Sequence, residues 1–99
     1  YLGSITGNTN TQSVSMTGGG GNSATINQTG DTNSASITAV GGSNTFGITQ
    51  ADGGHTTGIS VTGSGNGFNV SQQGTAAANV FNYTGTGSTN SVTINQNAR

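Results

Sequence analysis

The 99-residue sequence predicts an all-β fold: a two-faced β-solenoid of parallel, in-register strands, with about 22 residues per coil and about 4.5 coils over residues 1–99, read as one repeat domain. Three observations predict it. A seven-residue phrase recurs along the chain, as in Asn22-Ser-Ala-Thr-Ile26-Asn-Gln28 and Asn33-Ser-Ala-Ser-Ile37-Thr-Ala39. Each phrase alternates inward-type and polar residues, the period of a strand. The gaps between phrases are rich in Gly, and the chain has no Pro to interrupt a hydrogen-bonded ladder.

The first unit, Tyr1-L-G-S-Ile5-T-Gly7, is a degraded copy. Strands then follow near 10–16, 22–28, 33–39, 44–50, 55–61, 66–72, 79–85 and 90–96. The central apolar residue falls at 5, 14, 26, 37, 48, 59, 70, 83 and 94, so five of eight spacings are eleven. Gaps such as Thr29-Gly30-Asp31-Thr32 and Ala51-Asp52-Gly53-Gly54 read as corners, where Gly reaches positive φ without strain. A second period lies within the first. The seventh position holds Gln28, Gln50, Gln72 and Gln96 in odd units, but Met16, Ala39, Val61 and Gly85 in even ones. Alternate units are thus equivalent, and each strand is expected beside the one two units later.

Stacking places like residues above one another at about 4.8 Å, the distance between paired strands. Asn22, Asn44, Asn66 and Asn90 form one column, and Asn10, Asn33, His55 and Asn79 a second. With the Gln column they are expected to form a stacking ladder, because an amide both donates and accepts and can bond to its neighbour along the stack. A buried amide without partners would cost about 1–3 kcal/mol. The expected core is Ile26, Ile37, Phe46, Ile48, Ile59, Phe68, Val70, Phe81, Tyr83 and Ile94, with Ile5 stacked beneath Ile26. Thr25, Ser36, Thr49, Ser60 and Thr93 are expected outside.

Composition removes several function classes. The charged side chains are Asp31, Asp52 and Arg99, with a formal net charge of −1. A chain with one cation cannot neutralise a run of phosphates, so no nucleic-acid partner is expected. No apolar stretch approaches a transmembrane helix, and no signal peptide is visible. Tyr1 stands where an initiator Met would, so the chain reads as processed or as a fragment. With no Cys, disulfides contribute nothing. His55 has no Cys or Glu to join it as a metal ligand and reads as a replacement in an Asn column. Asp31 and Asp52 read as solvated turn residues, since a hard cation needs more oxygens. No nucleophile, base and orienting group can be assembled. No cofactor and no enzymatic activity are expected.

The pattern Asn-x-Ala-x-Ile-x-Gln-x-Gly-x-x-Asn over Asn22 to Asn33 resembles the curlin repeat of bacterial curli subunits. The resemblance continues through Asn66-x-Phe-x-Val-x-Gln72-x-Gly74 to Asn90-x-Val-x-Ile-x-Gln96. It implies a β-solenoid, secreted through an outer-membrane pore, that polymerises into functional amyloid of the biofilm matrix. It further implies a cell-surface, extracellular location, a self-partner, and a nucleator and secretion machinery as additional partners. Asn22, Gln28, Asn44, Gln50, Asn66, Gln72, Asn90 and Gln96 match the family's stacking positions.

The expected function is therefore a structural fibre subunit growing head to tail by strand addition. Its assembly interface is expected to include Ile5 at one end and Val92, Ile94 and Gln96 at the other. Unprotected solenoid ends and near-absent charge favour in-register self-association. Two alternatives compete with this. A phage or cell-surface fibre segment binding carbohydrate would want outer aromatics, and an ice-binding solenoid a regular Thr array. The outer positions hold almost no aromatics, and Ser15, Thr38, Ser60 and Thr84 are only partly Thr.

Overall fold

The computed structural model describes residues 1–75 and 77–98. Arg99, the charge at the last repeat, lies outside them. Nine strands follow one another: β1 (Leu2–Thr6), β2 (Thr11–Thr17), β3 (Ser23–Asp31), β4 (Ser34–Val40), β5 (Thr45–Gly53), β6 (Thr56–Thr62), β7 (Gly67–Gln73), β8 (Val80–Thr86) and β9 (Ser91–Asn97). Odd strands form one sheet in the order β1-β3-β5-β7-β9, and even strands the other, β2-β4-β6-β8. Every pairing is parallel. The chain is a β-solenoid with two strands per coil.

The repeat per coil is 22 residues where Phe46 pairs with Phe68, 23 where Val14 pairs with Ile37, and 24 where Ile59 pairs with Tyr83. Extra residues are absorbed at corners, so the inward side chains stay in register. Strand identity matches the repeat, but bounds differ. Most strands start one residue after the Asn, and β3 and β5 continue into the expected corners, pairing Gly30 with Asp52 and Asp31 with Gly53. In these two corners Gly30 and Asp52 share a left-handed shape, so interstrand bonding does not stop where the side-chain alternation does.

Most corners share a backbone signature that composition alone conceals. The residue immediately before the column Asn is left-handed at Thr9, Gly21, Thr32, Ser43, Gly65 and Thr89, and Gly54 takes the same shape before His55. In most corners a second left-handed residue lies three positions before that Asn, as at Gly7, Gly30, Gly41, Gly63 and Gly87. Thr9, Thr32 and Thr89 are β-branched residues at φ near 60°, a conformation that normally costs a branched side chain about 1–3 kcal/mol. Backbone bonds to neighbouring corners hold two of them there, Thr32 N–H donating to Asn8 O and Thr89 N–H to Ser64 O, each at 3.0 Å.

The core is a thin double row between the sheets. Ile26, Ile37, Phe46, Ile48, Ile59, Phe68 and Val70 are buried, joined by Ala24, Ala35, Ala39 and Val61. Phe46 and Phe68 stack nearly parallel with centroids 5.5 Å apart, and Phe68 meets Tyr83 across the core at 4.9 Å. Phe81, Tyr83 and Ile94 point inward but are only half-buried, because they belong to the last coil and no further coil covers them. Ser36, Thr49, Ser60 and Thr93 are exposed, whereas Thr25 is intermediate.

The first strand departs from the expected register. Gly3, not Ile5, pairs with Ile26, and Ile5 pairs with Gln28. The physical reason is the corner between Ile5 and Val14, whose spacing is nine where eleven is usual. Two missing residues slide β1 by two positions, which keeps Ile5 on the inward side but moves it from the Ile column to the Gln column.

Candidate functional site: internal ladders and open strand edges

The buried polar residues form two kinds of column, and they work differently. In the Gln column, Gln28 Nε2 donates to Gln50 Oε1 (2.8 Å), Gln50 to Gln72 (2.9 Å) and Gln72 to Gln96 (2.7 Å). The remaining amide proton of each crosses the core to a carbonyl of the opposite sheet. Gln28 reaches Thr11 O, Gln50 reaches Ser34 O and Gln72 reaches Thr56 O, at 3.0 to 3.1 Å. Gln96, in the uncovered last strand, reaches Val80 O at 3.3 Å. One Gln column thus binds coil to coil and sheet to sheet. All donors point the same way along the stack, which gives the solenoid a polarity.

The Asn columns do not chiefly bond amide to amide. Instead the backbone N–H of each Asn donates to the side-chain oxygen one coil below. Asn33 donates to Asn10 Oδ1, Asn44 to Asn22, Asn66 to Asn44 and Asn90 to Asn66, all within 2.9 to 3.0 Å. The Nδ2 groups turn into the corners, as Asn22 to Gly41 O (2.7 Å) and Asn44 to Gly63 O (2.9 Å). Asn66 Nδ2 alone in this column also meets an amide oxygen, Asn44 Oδ1 at 3.1 Å. Chain reversal takes the corner N–H out of the strand ladder, and the Asn oxygen satisfies it.

His55 reproduces the Asn function with a ring. Its Nδ1 accepts from Asn79 N–H (3.1 Å), its Nε2 faces Ala51 O at 2.8 Å, and its own N–H donates to Asn33 Oδ1 (3.1 Å). An acceptor at Nδ1 and a carbonyl at Nε2 fix the Nε2–H tautomer. Asn79 completes the column, donating its Nδ2 to Gln73 O at 2.9 Å. The two carboxylates cap corners in opposite directions along the stack. Asp31 Oδ1 accepts from Asn8 N–H in the coil below, and Asp52 Oδ2 from Gly74 N–H in the coil above, both at 2.7 Å. They are not brought together as a cation site.

Sequence reasoning overlooked two inward polar residues. Thr57 is buried and donates through Oγ1 to Gln72 Oε1 at 2.8 Å, so it supports the Gln column from the other sheet. Gln12 reaches Ser4 O at 3.0 Å and contacts the Tyr1 hydroxyl across the open first coil. Each occupies an inward position held elsewhere by Ala or Phe, and that parity was the available signal.

The expected assembly residues lie at the two ends of the stack. Val92, Ile94 and Gln96 face inward from β9 and are half-buried, while Ile5, in β1, is 50% exposed. Among the described residues, β1 and β9 are the edge strands of one sheet, and β2 and β8 those of the other. Each edge carries unpaired backbone groups in the parallel geometry that the interior strands repeat.

Buried amide columns, left-handed corners and open edges define a class of protein, the repeat solenoid that stacks by strand register. Residues 19–51 match the family model described as the curlin associated repeat. Comparison with curated proteins and with solved structures found no match.

Proposed function

We propose that this chain is a non-catalytic structural subunit of an extracellular functional amyloid of the curli type. Subunits add head to tail, with an inward-facing end strand of one copy covered by an end strand of the next. The single observation that carries this reading is that both ends of the stack expose open strand edges, and that at the β8 and β9 end the register, ladder polarity and side-chain columns are those of the interior. A second copy therefore meets the surface that each coil already presents to its neighbour. Ile5 at one end and Val92, Ile94 and Gln96 at the other belong to the joint. The curlin repeat supports a place in the cell-surface biofilm matrix, with adhesion as its use and a nucleator and secretion apparatus as further partners.

The near absence of charge, a formal −1 over the chain, removes the repulsion that would accumulate along a fibre. Electron microscopy of the purified chain is expected to show unbranched fibres. Fibre diffraction should give a meridional reflection near 4.8 Å from strands perpendicular to the axis. A chain that remains monomeric at high concentration overturns the proposal.

A further inference from the structure

We infer that β1 is a placeholder strand, which leaves β3 when a second copy of the chain inserts its β9 into the same position. The inference rests on the fibre reading above and specifies its joint. It starts from one defect in an otherwise satisfied interior. Gln28 is 1% exposed, yet its Oε1 has no hydrogen-bond partner among the described residues. Gln50 and Gln72 each receive a donor there from the Gln one coil below. Gln28 does not, because Ile5 of β1 occupies that place.

β1 fits its slot poorly in two columns. Gly3 stands where the column requires a residue like Ile26, and Ile5 where it requires Gln. The strand is also five residues long, against seven for β9. β9 fits the slot in every column. Continued from its pairing with β7, its register sets Val92 beneath Ala24, Ile94 beneath Ile26, Gln96 beneath Gln28 and Asn90 beneath Asn22. Gln96 Nε2, whose bond in the free chain is the long one to Val80 O, keeps a second proton that in this slot can donate to Gln28 Oε1. Asn90 Oδ1 can accept from Asn22 N–H as Asn22 Oδ1 accepts from Asn44. The exchange gives up the bonds of Asn8 with Asp31 Oδ1 and with Thr32 N–H, and those that Gln12 and Asn10 donate to the carbonyls of Ser4 and Thr6, all in the exposed first coil.

Strand counting supports the same joint. A subunit of the nine described strands, an odd number, cannot repeat by simple translation in a solenoid of two strands per coil. With β1 displaced, β2 through β9 make four whole coils. β8 and β9 of one copy are then followed by β2 and β3 of the next, each in its own sheet. Subunits stack without rotation, at a repeat of about 19 Å for 4.8 Å per coil. If β1 stayed in place, the next copy would have to turn by half a revolution, at about 22 Å per subunit, and Gln28 would remain unsatisfied.

The test uses the full chain, which contains no Cys. Ser4 and Asn27 are exposed register partners in β1 and β3, and Thr49 and Ser71 are outward register partners in β5 and β7. Paired strands lie within reach of a disulfide. Oxidised Ser4→Cys/Asn27→Cys, with β1 tied down, is expected to lose elongation from wild-type seeds and to regain it on reduction. Oxidised Thr49→Cys/Ser71→Cys is expected to elongate like the wild type. Elongation of the oxidised Ser4→Cys/Asn27→Cys chain at its reduced rate overturns the exchange and leaves the fibre reading standing. So does a cryo-electron microscopy repeat that alternates by half a turn. A wild-type chain without fibres overturns both.

Discussion

His55 shows how narrowly a buried position can be specified by its bonds while its residue type stays open. It lies fully buried in an Asn column because its two ring nitrogens meet the demands that Asn Oδ1 and Nδ2 meet elsewhere. His55→Asn is therefore expected to be tolerated, changing stability by about 1 kcal/mol or less. His55→Leu keeps the volume but leaves Asn79 N–H and Ala51 O without partners, and is expected to cost about 2–4 kcal/mol. Denaturant titration of both variants against the wild type checks the pair, and equal losses would remove the hydrogen-bonding account. Gly30 is specified by backbone shape instead. It has φ +95°, and a Cβ there would collide with the Asp52 carbonyl one coil above. Gly30→Ala is expected to destabilise by about 1–3 kcal/mol or more. The same titration reads it, and a neutral result would mean the corner can relax.

At the scale of the element, β1 is the strand whose sequence disagrees with its place. Its departure is confined to two columns, and Ile5→Gln repairs one of them. The new amide can donate to Gln28 Oε1 and relieve a buried, unpaired acceptor, so the free chain is expected to gain about 0.5–1.5 kcal/mol. If β1 must leave for fibres to grow, the same substitution slows elongation. Stability and assembly rate then move in opposite directions, and thermal unfolding together with seeded growth measures both. A faster-growing Ile5→Gln chain would contradict the role given to β1. The other strands show the reverse situation. In β3, β5 and β7 the inward positions are an apolar residue, a β-branched residue and Gln in the same order, and no slip of register is tolerated without losing the Gln ladder.

For the whole molecule, the alternation of inside and outside decides what a fibre can tolerate. Ile48 is buried between Ile26 and Val70 in its column, and Ile48→Asp would place an uncompensated charge in a dry core. Folding and fibre formation are both expected to be lost. Thr49→Asp lies on the exposed outer face one residue away. A single subunit should fold with it, but the charge recurs at every subunit along the fibre. Its assembly is expected to be slow at low salt and restored as salt screens the repulsion. Circular dichroism and sedimentation across a salt series separate the two outcomes. Identical behaviour of the variants would mean that inside and outside had been interchanged.

The repeat was legible in the sequence because a solenoid writes its columns directly into the chain. Period-two alternation fixed which residues face inward, and the recurrence of Gln in alternate units fixed two strands per coil. These are consequences of strand geometry and of like residues meeting like, so they need no knowledge of distant contacts. The sequence also contained the clue to β1, a spacing of nine between Ile5 and Val14, but only pairing with β3 turned that number into a two-residue slip. How the Asn columns are satisfied belonged to the tertiary structure. Whether an amide bonds to its like or to a corner N–H depends on where chain reversal strands a backbone donor, and Thr9, Thr32, Ser43 and Thr89 carry no sequence mark of their left-handed shape. The orphaned oxygen of Gln28 is likewise decided by the coil beneath it, because hydrogen-bond satisfaction is a property of neighbours in space and not of neighbours in the chain.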